Sequence, residues 1–280
     1  MAVFLATALG TWLVLRVLLE AAVRGVVDNP TALLSISVAF WTVLASLIVA
    51  HVVVLRWVER RPWSYVGLAR EDARVPLLGI SLALGALAIA VPTAILLGVG
   101  WLDLVPAASG SSWRFSLLLA ALFLPAALAE ELALRGYVFA LIRERWGWQA
   151  ALALTSVVFG VLHLANPGAD VRSIALVVLA GFFLGGVLLA TGSLYAAWMA
   201  HFAWNWVMGA LFHTPVSGLE LPPPEYRVVD AGPDWATGGE WGPEGGALAG
   251  FGMMAGLAYL ALLRRGIRGG GQARENGANG

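Results

Sequence analysis

Eight stretches of this chain are too long and too apolar to belong to an ordinary water-soluble surface. They run approximately over residues 2–22, 31–54, 76–98, 114–135, 149–165, 173–191, 193–212 and 246–263. A helix that crosses a bilayer needs about 20 mostly apolar residues, and most of these runs reach or approach that length. Of the 280 residues 60% are hydrophobic and 12% charged, about half the charged fraction of a typical soluble domain. Turn-punctuated alternation of the β-barrel kind is absent, and only helices satisfy their own backbone in lipid. The expected fold class is therefore all-α, a polytopic bundle of about eight membrane helices. The first run lacks a basic leader and is interrupted by Arg16 and Glu20, so it reads as a retained helix rather than a signal peptide.

Charge placement orients such a bundle. The 17 basic residues are all Arg, and they concentrate in 55–75, in 136–148 and in the tail, where Arg264, Arg265, Arg268 and Arg274 lie. With eight spans and a cytoplasmic N-terminus, all three regions fall on the cytoplasmic side, leaving Arg24, Arg114, Arg172 and Arg227 on the other. Trp57, Trp63, Trp101, Trp113, Trp146 and Trp148 sit at helix ends, as interfacial anchors do. Segment 55–75 is expected to lie flat on the cytoplasmic face. The acidic, Pro- and Gly-rich segment 214–245 reads as a solvated extracytoplasmic connector, in preference to a binding lid, and the tail beyond Ile267 as unstructured. The chain divides into helices and an amphipathic loop (1–112), a polar-residue-bearing core (113–212), and a loop, last helix and basic tail (213–280). The formal net charge is +0, so nothing argues for a nucleic-acid partner; the bilayer is the expected one. The expected location is a membrane, the inner membrane if the source is bacterial. Cys is absent, which excludes thiolate metal ligands and a Cys nucleophile.

Ionisable groups inside a bilayer cost several kcal/mol and by default mark function. The fourth run holds Glu130, Glu131 and Arg135, the fifth His163, and the seventh His201 and Asn205. Residues four apart share a helix face, so Glu131 faces Arg135 and His201 faces Asn205. Glu130 is turned about 100° from Glu131 and is left free for a cavity. At 1.5 Å per residue, Glu130, His163 and His201 are expected about 10–20 Å from the cytoplasmic ends of their helices. The alternative is a polar knot joining three helices, but a knot needs only one or two such groups. His51 and His213, near helix ends, are read as non-functional.

These residues resemble the type II CAAX prenyl endopeptidases and their bacterial relatives, the CPBP intramembrane proteases. The family pattern of Glu-Glu-x-x-x-Arg, Phe-x-x-x-His and His-x-x-x-Asn is met by Glu130-Glu131 with Arg135, Phe159 with His163, and His201 with Asn205. The motif-bearing part covers about 113–210. The resemblance implies a metalloprotease-like intramembrane hydrolase of eight helices, open toward the cytoplasm and inner leaflet, acting without a covalent intermediate. It implies a peptide or protein substrate, lipid-modified in the eukaryotic relatives. In that frame Glu130 and His163 activate a water, with Glu130 as general base. His201 and Asn205 donate to the oxyanion. Glu131 and Arg135 orient their helix, and Phe159 packs against the site or substrate. Zn²⁺ remains open, with Glu130, His163 and His201 as its ligands; the zincin His-Glu-x-x-His is absent, and a metal-free site with no cofactor is favoured. Two other classes compete: a non-enzymatic immunity or membrane-partner protein, and a transporter with a central carboxylate. Serine and aspartyl intramembrane proteases fit worse, since Ser193 reads as a helix N-cap and Asp103 and Asp170 lie in loops.

Overall fold

The structure is a computed structural model that describes residues 1–26, 32–107, 112–221 and 225–278; side chains 20–26, 32–36, 112 and 264–278 lie outside the described set. Each of the eight apolar runs falls on a helix. These are α1 (Ala2–Val26), α2 (Ala32–Val52), α3 (Val75–Gly98), α4 (Ser112–Arg135), α5 (Tyr137–Leu162), α6 (Val171–Thr191), α7 (Leu194–Trp206) and α9 (Ala247–Ala278). A one-turn α8 (Asp234–Thr237) precedes the last. Wider π-helical turns extend α2 over Val53–Val58 and α7 over Val207–Phe212.

Among the described residues five apolar stretches have the length and hydropathy to cross a membrane, one of them the 50-residue Trp113–Leu162, which holds both α4 and α5. Ala247–Leu263 is apolar but shorter, and α7 has 13 residues, so length alone does not make eight spans. The outward faces agree with a lipid surround. Val17, Leu87, Leu162 and Phe251 are all more than half exposed, a belt that water would not tolerate on this scale. The protein is an integral membrane protein with an all-α fold.

Two sequence features explain how α7 reaches the centre. Gly192, at φ +70°, ends α6 in the left-handed conformation, and Ser193 caps α7 by accepting from the Ala196 N–H at 3.2 Å, as the Thr-Gly-Ser-Leu turn predicts. Gly85 on α3 lets the α7 backbone approach, for a Cβ there would stand 2.0 Å from the Ala200 carbonyl oxygen.

The two ends of the bundle differ from expectation. Segment 55–75 folds into two short 3-10 turns and buries Val66. It is tied to the opposite helices, with the Leu194 N–H donating to Gly67 O at 2.9 Å and the Arg143 guanidinium to Tyr65 O at 3.3 Å. At the other end Leu102–Pro106 (β1) pairs antiparallel with Tyr226–Asp230 (β2). Five residues each are too few to show a strand pattern among hydrophobic runs. Helix α5 begins at Tyr137, before the apolar run, and breaks at Gly147 (φ +84°). His51, expected near an interface, is buried: Nδ1 donates to Leu47 O at 2.7 Å, and Nε2 accepts the Tyr137 N–H at the start of α5 at 3.1 Å. The backbone of α9 is helical to Ala278, past Ile267 where an unstructured tail is expected. Arg24, Arg264, Arg265, Arg268 and Arg274, which the topology reading uses, lie outside the described side chains.

Candidate active site

The site is built on three helices. Glu131 and Arg135, one turn apart on α4, are both buried, and Arg135 Nη1 donates to Glu131 Oε1 at 3.3 Å. Arg135 also donates from Nη2 to Gly181 O of α6 at 3.3 Å and lies over the Phe159 ring at 4.4 Å. The same Glu131 Oε1 accepts from His201 Nδ1 on α7 at 2.9 Å. A single buried carboxylate thus ties α4 to its own arginine and to the α7 histidine. A buried carboxylate is tolerable only with such charged and hydrogen-bonding partners.

Glu130 behaves as the spacing predicts. Turned from Glu131, it keeps 32% of its side chain exposed and faces a cavity, where its Oε2 lies 3.6 Å from His201 Nε2. His201 therefore stands between the two glutamates, one at each ring nitrogen, a pairing that same-helix spacing does not reveal. His163 is not inside α5 but caps its C-terminal end, with Nδ1 donating to Phe159 O at 2.7 Å. That puts it about 24 Å along α5 from the Gly147 break. Phe159 is the wedge of the site: its ring meets those of His163 at 4.7 Å and His201 at 5.9 Å, both edge-on.

Glu130, His163, His201 and Asn205 line one small cavity of about 40 Å³, room for one or a few waters. Phe159, Phe183 and Trp204 form its apolar wall. A groove of about 250 Å³ continues from it, sharing Glu130, Phe159, His163, Asn205 and Ser217. Its walls come from α2 (Phe40), α4 (Leu122, Phe123, Ala126), α5 (Leu162) and the segment after α7 (Val216, Leu219, Leu221). No residue of 55–75 lines it. It runs between helices beside the segment that joins α7 to α9.

That segment departs from expectation. Rather than a solvated connector, 214–245 folds onto the site. Trp241 is buried against Leu134, Phe159 and Val177, and Ser217 and Glu244 line the cavity with the motif residues. Sequence reasoning missed these two because Glu244 is one of six acids in a loop without periodicity; the nearby Trp241 is the one hint of burial.

A zinc site would need Glu130, His163 and His201 to converge. Among the described residues no three His, Cys, Asp or Glu side chains are grouped closely enough to hold a metal ion, so the donors do not fit a three-ligand site in this arrangement.

No curated protein and no solved structure matches the chain. A family model described as Rce1-like, type II CAAX prenyl endopeptidase Rce1-like, matches residues 112–207. That stretch starts with α4, ends one residue past α7 and contains every motif residue named above. Over residues 112–207 the chain is thus similar to the type II CAAX prenyl endopeptidase, Rce1-like family, as its motifs led one to expect.

Proposed function

We propose that the protein is an intramembrane endopeptidase that hydrolyses a peptide bond of a membrane-associated substrate with a glutamate-activated water. The observation that carries this reading is the meeting of Glu130, His163, His201 and Asn205, from three helices, at one water-sized cavity. Glu130 and His163 hold the water. Its oxygen attacks the carbonyl carbon while Glu130 takes its proton, and the new oxyanion accepts hydrogen bonds from His201 Nε2 and the Asn205 amide. Collapse breaks the C–N bond, and the departing amine takes the proton from Glu130. Glu131 supports the oxyanion role of His201: between two carboxylates the imidazole carries a proton on each nitrogen, so Nδ1–H donates to Glu131 and sets the ring, and Nε2–H is there to donate to the oxyanion. One oxyanion donor of this kind contributes roughly 3–4 kcal/mol to the transition state.

The reading is metal-free, because a His201 protonated on both ring nitrogens between Glu130 and Glu131 has no lone pair with which to ligate a metal. The substrate lies along the groove beside Phe40, Leu122, Phe123 and Leu162. Such walls suit an apolar segment, whether side chains or a lipid anchor. The deciding experiment is cleavage of quenched fluorogenic peptides with apolar segments by purified protein in detergent. Wild type is expected to cleave, after exhaustive chelation as before it, and Glu130→Ala to be inactive. Equal activity in the two proteins would overturn the reading, as would an inert wild type. Loss on chelation with recovery on adding Zn²⁺ would overturn its metal-free part.

A further inference from the structure

Glu244 is a buried carboxylate outside every motif, beyond the region the family model covers, yet it borders the same cavity as Glu130. Its donors come from two directions. Oε2 accepts the Trp204 indole N–H at 2.8 Å. Oε1 accepts both the backbone N–H of Ser217 and the Ser217 hydroxyl, the latter at 2.9 Å. Trp204 is three residues after His201, so it lies on the His201 side of α7. Ser217 stands at φ +51°, a conformation unfavourable for a residue with a side chain. Its carbonyl accepts from the Asn166 amide at 3.0 Å, and the Asn166 N–H in turn donates to His163 O at 3.1 Å. One chain of hydrogen bonds therefore runs from α7 through Glu244 and Ser217 to the turn that holds His163.

The chemistry of this junction calls for a carboxylate. Three donors converge on it from two sides, and each side needs an acceptor oxygen. Glutamine would turn an NH₂ group toward one set of donors and leave it unpaired. We propose that Glu244 is a positioning residue that clamps the α7–α9 segment across the site and fixes the distance between the His201/Asn205 face of α7 and the His163 turn. The segment is then a wall of the active site rather than a connector. The inference rests on the peptidase reading.

The test uses the full chain and the quenched peptides above. Glu244→Gln lowers kcat about 10- to 100-fold, as a displacement near 1 Å does, while KM stays within about three-fold because the groove walls from α2, α4 and α5, along which the substrate lies, are untouched. Trp204→Phe, which removes only the N–H and part of the ring, lowers kcat in the same way. In the double variant the two losses do not multiply, since both cut one link. Asp234→Asn, an exposed change elsewhere in the segment, leaves kcat as in wild type. A cleaving wild type whose Glu244→Gln keeps its kcat, or multiplicative losses in the double variant, overturns the clamp alone. If Glu244→Gln does not fold, Trp204→Phe with unchanged kcat overturns it equally. A wild type that cleaves none of the peptides overturns the peptidase reading and the clamp with it.

Discussion

Two clusters of nearly the same composition occupy opposite environments in this molecule. In each, an arginine pairs with a carboxylate and lies over an aromatic ring, and a second carboxylate stands close by. At the 55–75 end Arg61 pairs with Glu144 at 2.9 Å and Glu59 at 3.1 Å, with its guanidinium 4.3 Å from the Tyr65 ring. In the bundle Arg135 pairs with Glu131 at 3.3 Å and lies 4.4 Å from the Phe159 ring, with Glu130 on the next position. The outer pairs are shorter, yet they involve side chains 25–45% exposed, whereas Arg135 and Glu131 are fully buried. Distance alone would rank the outer cluster first. Solvent reverses the order: exposed charges exchange water for each other at little gain, while a buried charge that loses its partner has no water to turn to. The outer cluster joins a loop to a helix; the inner one can hold a histidine in a fixed orientation.

The comparison breaks most sharply at Glu130, the inner carboxylate that is not paired with arginine. Glu130→Gln is expected to lower peptide cleavage roughly 100- to 10,000-fold with little change in melting temperature. Loss of folded protein in that variant would show that Glu130 belongs to the structural pair instead. Glu131→Gln should lower stability along with activity, by about 3–5 kcal/mol, because it strands Arg135 and unties His201, read as folded yield and melting temperature. Gly181→Ala probes the same cluster from behind, since a Cβ there would stand 2.7 Å from the Ser156 backbone. Overpacking should cost about 1–3 kcal/mol and move the carbonyl that Arg135 holds. At the outer cluster Arg61→Ala should leave the melting temperature close to wild type; a loss as large as that of Glu131→Gln would end the contrast. Tyr65 gives the smallest effect. Burial, and then its hydrogen bond to Glu144, pushes its pKa from 10.0 up to about 12. A raised pKa favours the folded state below the unfolded value, and that contribution is lost as pH rises from about 10 to about 12. Tyr65→Phe should lack this part of the alkaline decline in a pH series of melting temperatures.

Much of this protein was legible before any coordinates, because membrane helices and their single-helix neighbours are local properties. The apolar runs correspond to α1 through α7 and α9, and Glu131 meets Arg135 because four residues make nearly one turn of helix. The free orientation of Glu130 and the Ser193 cap are equally local. What tertiary structure alone decided are contacts between helices and loops remote in sequence. His201 lies between two glutamates because α7 packs against α4 at that level, a contact that the His-x-x-x-Asn spacing does not contain. Glu244 enters the cavity because a loop without period folds back over the bundle. Periodicity records which residues share a helix face; it cannot record which distant carboxylate will be closed against that face, because that choice is made by packing and by where buried donors need an acceptor.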